Sequence, residues 1–305
     1  MSHSTSVSTS DSWPVGLQVG RYRITAPPSS KRTLETYTAT LQSTVGVDRV
    51  VSLMRLAGNV PSTVQSSFVA RARLAARLCH PNVAQVTNLE EHEGICFAVM
   101  EHVEGDRLDA LVERLLESNG SLPLEHAVKV LCDLCCGLEH EAEVLRACGA
   151  PPRAWVSASD VMLSVDGSVK LISFDGSARN DGVRDRRKPR WSPAGFRRLR
   201  PFAGETLVRA LGELLLELTT GLQNHPLHPL RTALSGSLSP RVWEELAALP
   251  EVLADIACRA CILDADDLFE TVADFHQELE DFALSHDLTL SPPRLSAFLS
   301  AYSTR

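Results

Sequence analysis

The chain has 305 residues, 44% of them hydrophobic and 22% charged, which is the make-up of an ordinary globular protein long enough to bury a substantial core. Its formal net charge of −8 argues against general nucleic-acid binding. No apolar run approaches the ~20 residues that a membrane-spanning helix needs.

The chain opens on MSHSTSVSTSDS, almost wholly polar, with neither the basic start nor the apolar stretch of a signal peptide. Residues 1–18 are therefore expected to form a disordered Ser/Thr-rich tail, and the protein is expected to be cytoplasmic. Strand-like alternation follows at Tyr22–Ile24, Tyr37–Leu41 and Val50–Met54, with a turn signal at Pro27-Pro28-Ser29-Ser30. Phe68, Ala72, Ala75 and Leu78 share one face of a predicted helix over about 64–79. Val83–Leu89 and Ile95–Met100 read as two more strands. From about residue 107 the pattern turns helical, with long apolar helices predicted at Leu124–Leu145, Leu207–Leu218, Leu246–Leu263 and Phe269–Phe282. Short strands fit at Val161–Leu163 and Val169–Ile172 around the turn Asp166-Gly167. Residues 176–206 have no periodicity and read as a long ordered loop. The sum is an α+β chain with a small β-rich lobe followed by a large helical lobe.

Eight cysteines without an export signal suggest reduced thiols. The pairs Cys132/Cys135 and Cys258/Cys261 have zinc-like internal spacing but lie more than a hundred residues apart, against the ~15–20 that a zinc site favours. Inside apolar helices, an i, i+3 pair reads as two small core side chains.

Several collinear segments resemble the bacterial Ser/Thr protein kinases across about residues 19–284: Gly20–Ile24, His80-Pro81-Asn82, Val99–Gly105, Val169–Ile172, Leu211-Gly212 and Glu217–Gly221. The resemblance implies a protein-kinase-like bilobal fold, with an N-lobe over about 19–101 and a C-lobe over about 106–284. A C-terminal tail with a short helix is expected over 285–305.

It also implies where catalytic groups belong, and there the chain departs from the family. The phosphate-loop glycines, which let backbone N–H groups approach a triphosphate, align with Ser29, Lys31 and Leu34. The phosphate-pairing lysine aligns with Met54, and its glutamate partner with Arg71. The catalytic-loop H-R-D aligns with Arg153-Ala154-Trp155, its lysine with Ser157 and its asparagine with Asp160. The metal-binding D-F-G becomes Ser173-Phe174-Asp175. Losing a positioned acid–base group alone typically costs on the order of 10²–10⁴ in rate. The family's buried Glu–Arg pair of the large lobe aligns with Ala194 and Leu268, and the aspartate opening its central helix with Leu207. Both members of the pair have changed together, which avoids an unpaired buried charge.

Two readings of the residual polar residues stay open. Asp160 and Asp175 could hold a cation, or be solvated or capping carboxylates; Lys31 could replace the missing ammonium, or be an ordinary loop lysine. Residues 179–200 carry nine Arg or Lys against Asp181 and Asp185. Arg186, Arg187, Lys188 and Arg190 are therefore candidates for binding an acidic or phosphorylated segment of a protein partner, an active kinase being one possibility. A basic loop without a ligand is the alternative, and nucleic acid is not expected. The reading is a catalytically inactive kinase-like protein, a pseudokinase acting as a scaffold or regulatory module, with no cofactor or at most weak ATP/Mg. The alternative is a Ser/Thr kinase or other ATP-dependent transferase with weak, non-standard catalysis.

Overall fold

The computed structural model describes residues 12–29, 34–43, 46–58, 60–118, 120–173, 203–221, 244, 246–261 and 268–303. They fall into two units, one running to Val103 with Ile172 and Ser173 added, the other formed by Glu104–Leu171 and the residues from Ala203 onward. The fold is protein-kinase-like and α+β.

The first unit is a six-stranded antiparallel sheet with one helix. The strands are β1 (Gln18–Val19), β2 (Tyr22–Ile24), β3 (Leu34–Leu41), β4 (Arg49–Leu56), β5 (Val86–His92) and β6 (Ile95–Glu101), and the helix is α1 (Ser62–Ala75). Spatial order is β1-β2-β3-β4-β6-β5. The period-two alternation of each strand divides the core between the faces. Val51 and Leu53 of β4 join Tyr22, Ile24, Tyr37, Phe97 and Val99 on one face. Met54 and Leu56 join Phe68, Ala72, Ala75, Ala98 and Met100 on the face that α1 covers.

Several boundaries of the first unit move. Helix α1 stops at Ala75, yet Leu78 remains buried, because a turn closed by its N–H on the carbonyl of Ala75 keeps it in place. The strand expected from Val83 begins at Val86, since His80–Val83 forms a turn with Val83 N–H donating to His80 O. Residues 12–18, expected to belong to the tail, are structured: Trp13 is buried against Tyr37 and Phe97, and Gln18–Val19 pairs with β2.

The second unit starts with β7 (Gly105–Arg107), a strand that periodicity did not flag, which pairs with β8 (Val161–Ser164), itself paired with β9 (Val169–Leu171). Its helices are α2 (Leu108–Glu117), α3 (Leu124–Ala147), α4 (Ala203–Thr220), α5 (Glu251–Cys261), α6 (Val272–Ser285) and α7 (Pro292–Ser303). Helix α4 starts one turn before Leu207, over residues with no apolar side chain beyond Ala203 to reveal it. Pro250 truncates the helix expected from Leu246, because its nitrogen cannot donate. Thr271 delays α6: its hydroxyl accepts from Asp274 N–H and the Asp274 carboxylate accepts from Thr271 N–H, a capping box.

Three glycines are required by contact, Gly105 among them, where a Cβ would lie 2.0 Å from Leu163 O. A Cβ on Gly212 would lie 2.5 Å from Ala260 Cβ and 2.8 Å from Cys261 Sγ, so glycine sets how closely α4 and α5 approach. Gly167, in the β8–β9 turn at φ +81°, would place a Cβ 1.8 Å from Pro292 O. That is where α7 docks, with Ser296 Oγ donating to Val165 O at 2.6 Å and Arg294 pairing with Glu125 at 2.7 Å.

Candidate functional site

Within the first unit, β4 carries the position the family resemblance assigns to lysine. Met54 there lies opposite Thr36 and Ala98, and its side chain is buried among Phe68, Ala72 and Ala75 of α1. Arg71 is half-buried on α1. Ile172 packs on the same apolar face, and the Oγ of Ser173 is buried with no hydrogen-bond partner among the described residues. At the loop between β2 and β3, Ser29 N–H donates to Thr36 O at 2.9 Å, and Leu34 opens β3. Lys31 lies outside the described residues, as do Asp175, Arg186, Arg187, Lys188 and Arg190.

Arg55, one residue beyond Met54, does carry a cation, but strand alternation aims it at the opposite face of the sheet. Its side chain is 1% exposed, with Nε and Nη2 each 2.8 Å from Glu35 Oε2. Register makes this a direct cross-strand pair. Tyr37 OH donates to the same oxygen at 2.5 Å, Ser12 Oγ donates to Oε1, and the guanidinium lies 4.5 Å from the Trp13 ring. Burial acts to raise the Glu35 carboxyl, but the hydrogen bonds from Ser12, Tyr37 and Arg55 outweigh it and hold Glu35 below its ordinary range. Sequence reasoning missed this cluster. The available signal was an arginine inside the apolar run Val50–Leu56, which needs a partner when buried.

In the second unit, the residues that the resemblance aligns with the catalytic loop make structural contacts. Arg153 makes a two-pronged pair with Glu141 of α3, at 2.6 and 3.2 Å, with little of either side chain exposed. Trp155 is half-buried. Asp160 is buried, and its Oδ2 accepts from Ser157 N–H and Ser157 Oγ, both at 2.9 Å, closing a capping box on the 3-10 turn Ala158–Asp160. This geometry gives Asp160 a capping contact through Oδ2. Leu207 is buried in α4, and Leu268 lies at the surface.

In the first unit an apolar thioether stands at the position the resemblance assigns to lysine; in the second unit, separately, one oxygen of Asp160 accepts from Ser157. Among the described residues no group of three or more His, Cys, Asp or Glu side chains could hold a metal ion. Cys132, Cys135 and Cys261 are buried as core residues, and Cys258 is half-buried. No helix among the described residues is long and apolar enough to cross a membrane.

No protein-family profile matches the chain. Over 285 residues it is 28% identical to the tyrosine-protein kinase MasK of Myxococcus xanthus, covering 88% of this chain and 44% of MasK. Over 111 residues it is 29% identical to the Ser/Thr-protein kinase PksC of Streptomyces coelicolor, covering 35% of this chain and 19% of PksC. The chain thus spans less than half the length of these curated relatives. The kinase domain of Mycobacterium tuberculosis PknI superposes with a TM-score of 0.62 at 16% identity, covering 88% of this chain and 99% of that domain.

Proposed function

For a chain that has the protein-kinase fold and is related to bacterial protein kinases, we propose a catalytically inactive role, a pseudokinase that serves as a binding or regulatory module. The observation that carries this reading is Met54, buried in apolar contact with α1 at the position where the family holds its phosphate-pairing lysine. The capping role of Asp160 and the uncharged Ser173 support it. A cytoplasmic setting and a protein partner belong to the same proposal. The partner reading rests on the basic run of residues 179–200, which lies outside the described residues apart from its sequence.

The test is a thermal-shift titration with ATP, with and without Mg²⁺ or Mn²⁺. A ligand at 100 times its dissociation constant would add about 2.7 kcal/mol of stability, an easily read shift. Millimolar Mg-ATP is expected to leave the melting temperature unmoved, and a clear metal-dependent rise would sink the proposal.

Transfer of phosphate from radiolabelled ATP to the chain itself, or to generic acidic and basic proteins, is expected to stay at background. Signal that disappears in both Asp160→Ala and Asp175→Ala would instead establish the weak-transferase alternative.

A further inference from the structure

We propose that Cys136 is a reactive thiol, oxidised at sulfur by hydroperoxides with His276 supplying the proton to the departing oxygen. Cys136 stands on α3 and His276 on α6, two helices packed against each other in the second unit. His276 Nε2 lies 3.8 Å from Cys136 Sγ, and Nδ1 lies 3.0 Å from Glu139 Oε1. The three side chains form a carboxylate–imidazole–thiol relay of the kind that activates a sulfur nucleophile. Such a relay exceeds what helix packing demands, since a cysteine on a packed helix needs no imidazole beside it.

The surroundings assign the roles. Glu139 and Glu280, the latter 3.6 Å from Nε2, both favour a charged imidazole. Hydrogen bonds to Cys132 and Cys136, ahead of any opposing effect of burial, push the His276 ring up to about 11. Cys132, one turn earlier on α3, shares the imidazole but is buried, and burial raises its thiol. Asp133 is a further acidic neighbour of Cys132, and it is paired with Lys129. Cys136 is only half-buried, and so is the member of the pair that solvent can reach.

The step balances. The Cys136 S–H proton is released to water, the imidazolium N–H at His276 Nε2 faces the resulting thiolate, and the thiolate lone pair attacks one oxygen of hydrogen peroxide. An S–O bond forms as the O–O bond breaks, and the departing hydroxide takes the imidazolium proton to leave as water. Sulfur is oxidised by two electrons to the sulfenic acid, and the peroxide is reduced.

The experiment treats the 305-residue chain with hydrogen peroxide and dimedone at pH 7 and follows adducts by peptide mass spectrometry, with exposed Cys79 as internal reference. Cys136 is expected to gain adduct at least tenfold faster than Cys79 despite its lower exposure. In His276→Gln its rate should fall to that of Cys79 or below while Cys79 is unchanged. A Cys136 no faster than Cys79, or one indifferent to His276→Gln, overturns the proposal. Should that variant not fold, Glu139→Gln, which keeps the ring but removes the carboxylate at Nδ1, takes its place. A Cys136 adduct rate indifferent to that change would equally refute the relay.

Discussion

Replacing Glu35 with alanine is expected to destabilise the protein by about 3–5 kcal/mol, because it strips the carboxylate from a guanidinium held out of water. Arg55 is 1% exposed, lies between strands, and has the Trp13 ring on one side, so it cannot turn to solvent without opening that face of the sheet. Replacing both residues by apolar ones, Glu35→Leu with Arg55→Met, should recover most of the loss, since no buried charge is then left behind. Urea unfolding followed by tryptophan fluorescence measures both. A loss below ~1 kcal/mol for Glu35→Ala would mean that the pair behaves like a solvated surface bridge. The pH dependence has a definite sign. Glu35 is held below its ordinary range when folded, so its contribution is present at neutral pH and disappears as pH falls through the folded value. Glu35→Gln should remove that acid-side loss.

Replacing Glu217 with glutamine should act in the opposite direction, stabilising the protein by up to about 3 kcal/mol at pH 8 and by little at pH 5. Burial in α4, followed by the nearby charges of Asp109 and Glu213, pushes this carboxyl from 4.5 up to about 7. The folded chain therefore holds the proton more tightly than the unfolded chain. Stability is greatest below the ordinary carboxylate range and declines as pH rises towards 7. Glutamine has the shape of the protonated acid and cannot ionise, so the variant's stability should be flat where the parent's falls. Its neighbour Glu213 is also raised to about 7 by burial, although Arg209 lies 3.0 Å away and opposes the shift. Glu217 is the better probe because the charged neighbours acting on it are both acidic. Urea midpoints at pH 5 and pH 8 are the measurement, and equal effects at the two would contradict the shift.

The sequence by itself determined the order of the chain, a β-rich unit before a helical one, and the positions that the kinase resemblance assigns to catalytic groups. Periodicity is a local property, and Met54, Trp155 and Ser173 could each be read by counting from neighbouring apolar anchors. Boundaries set by hydrogen bonds, such as the Thr271–Asp274 cap and the turn at His80–Val83, escaped that count because they carry no apolar signal. Only the tertiary structure decided the rest. Glu35 meets Arg55 through the β3–β4 register, Trp13 folds back over them, Glu141 reaches Arg153, and His276 reaches Cys136 across 140 residues. Each of these joins positions distant in sequence, and a polar side chain's partner is fixed by which backbones pack together. Strand alternation shows the difference at one step along the chain. It turns Met54 into the apolar core beneath α1 and sends Arg55, the next residue, into an ion pair on the other face of the sheet.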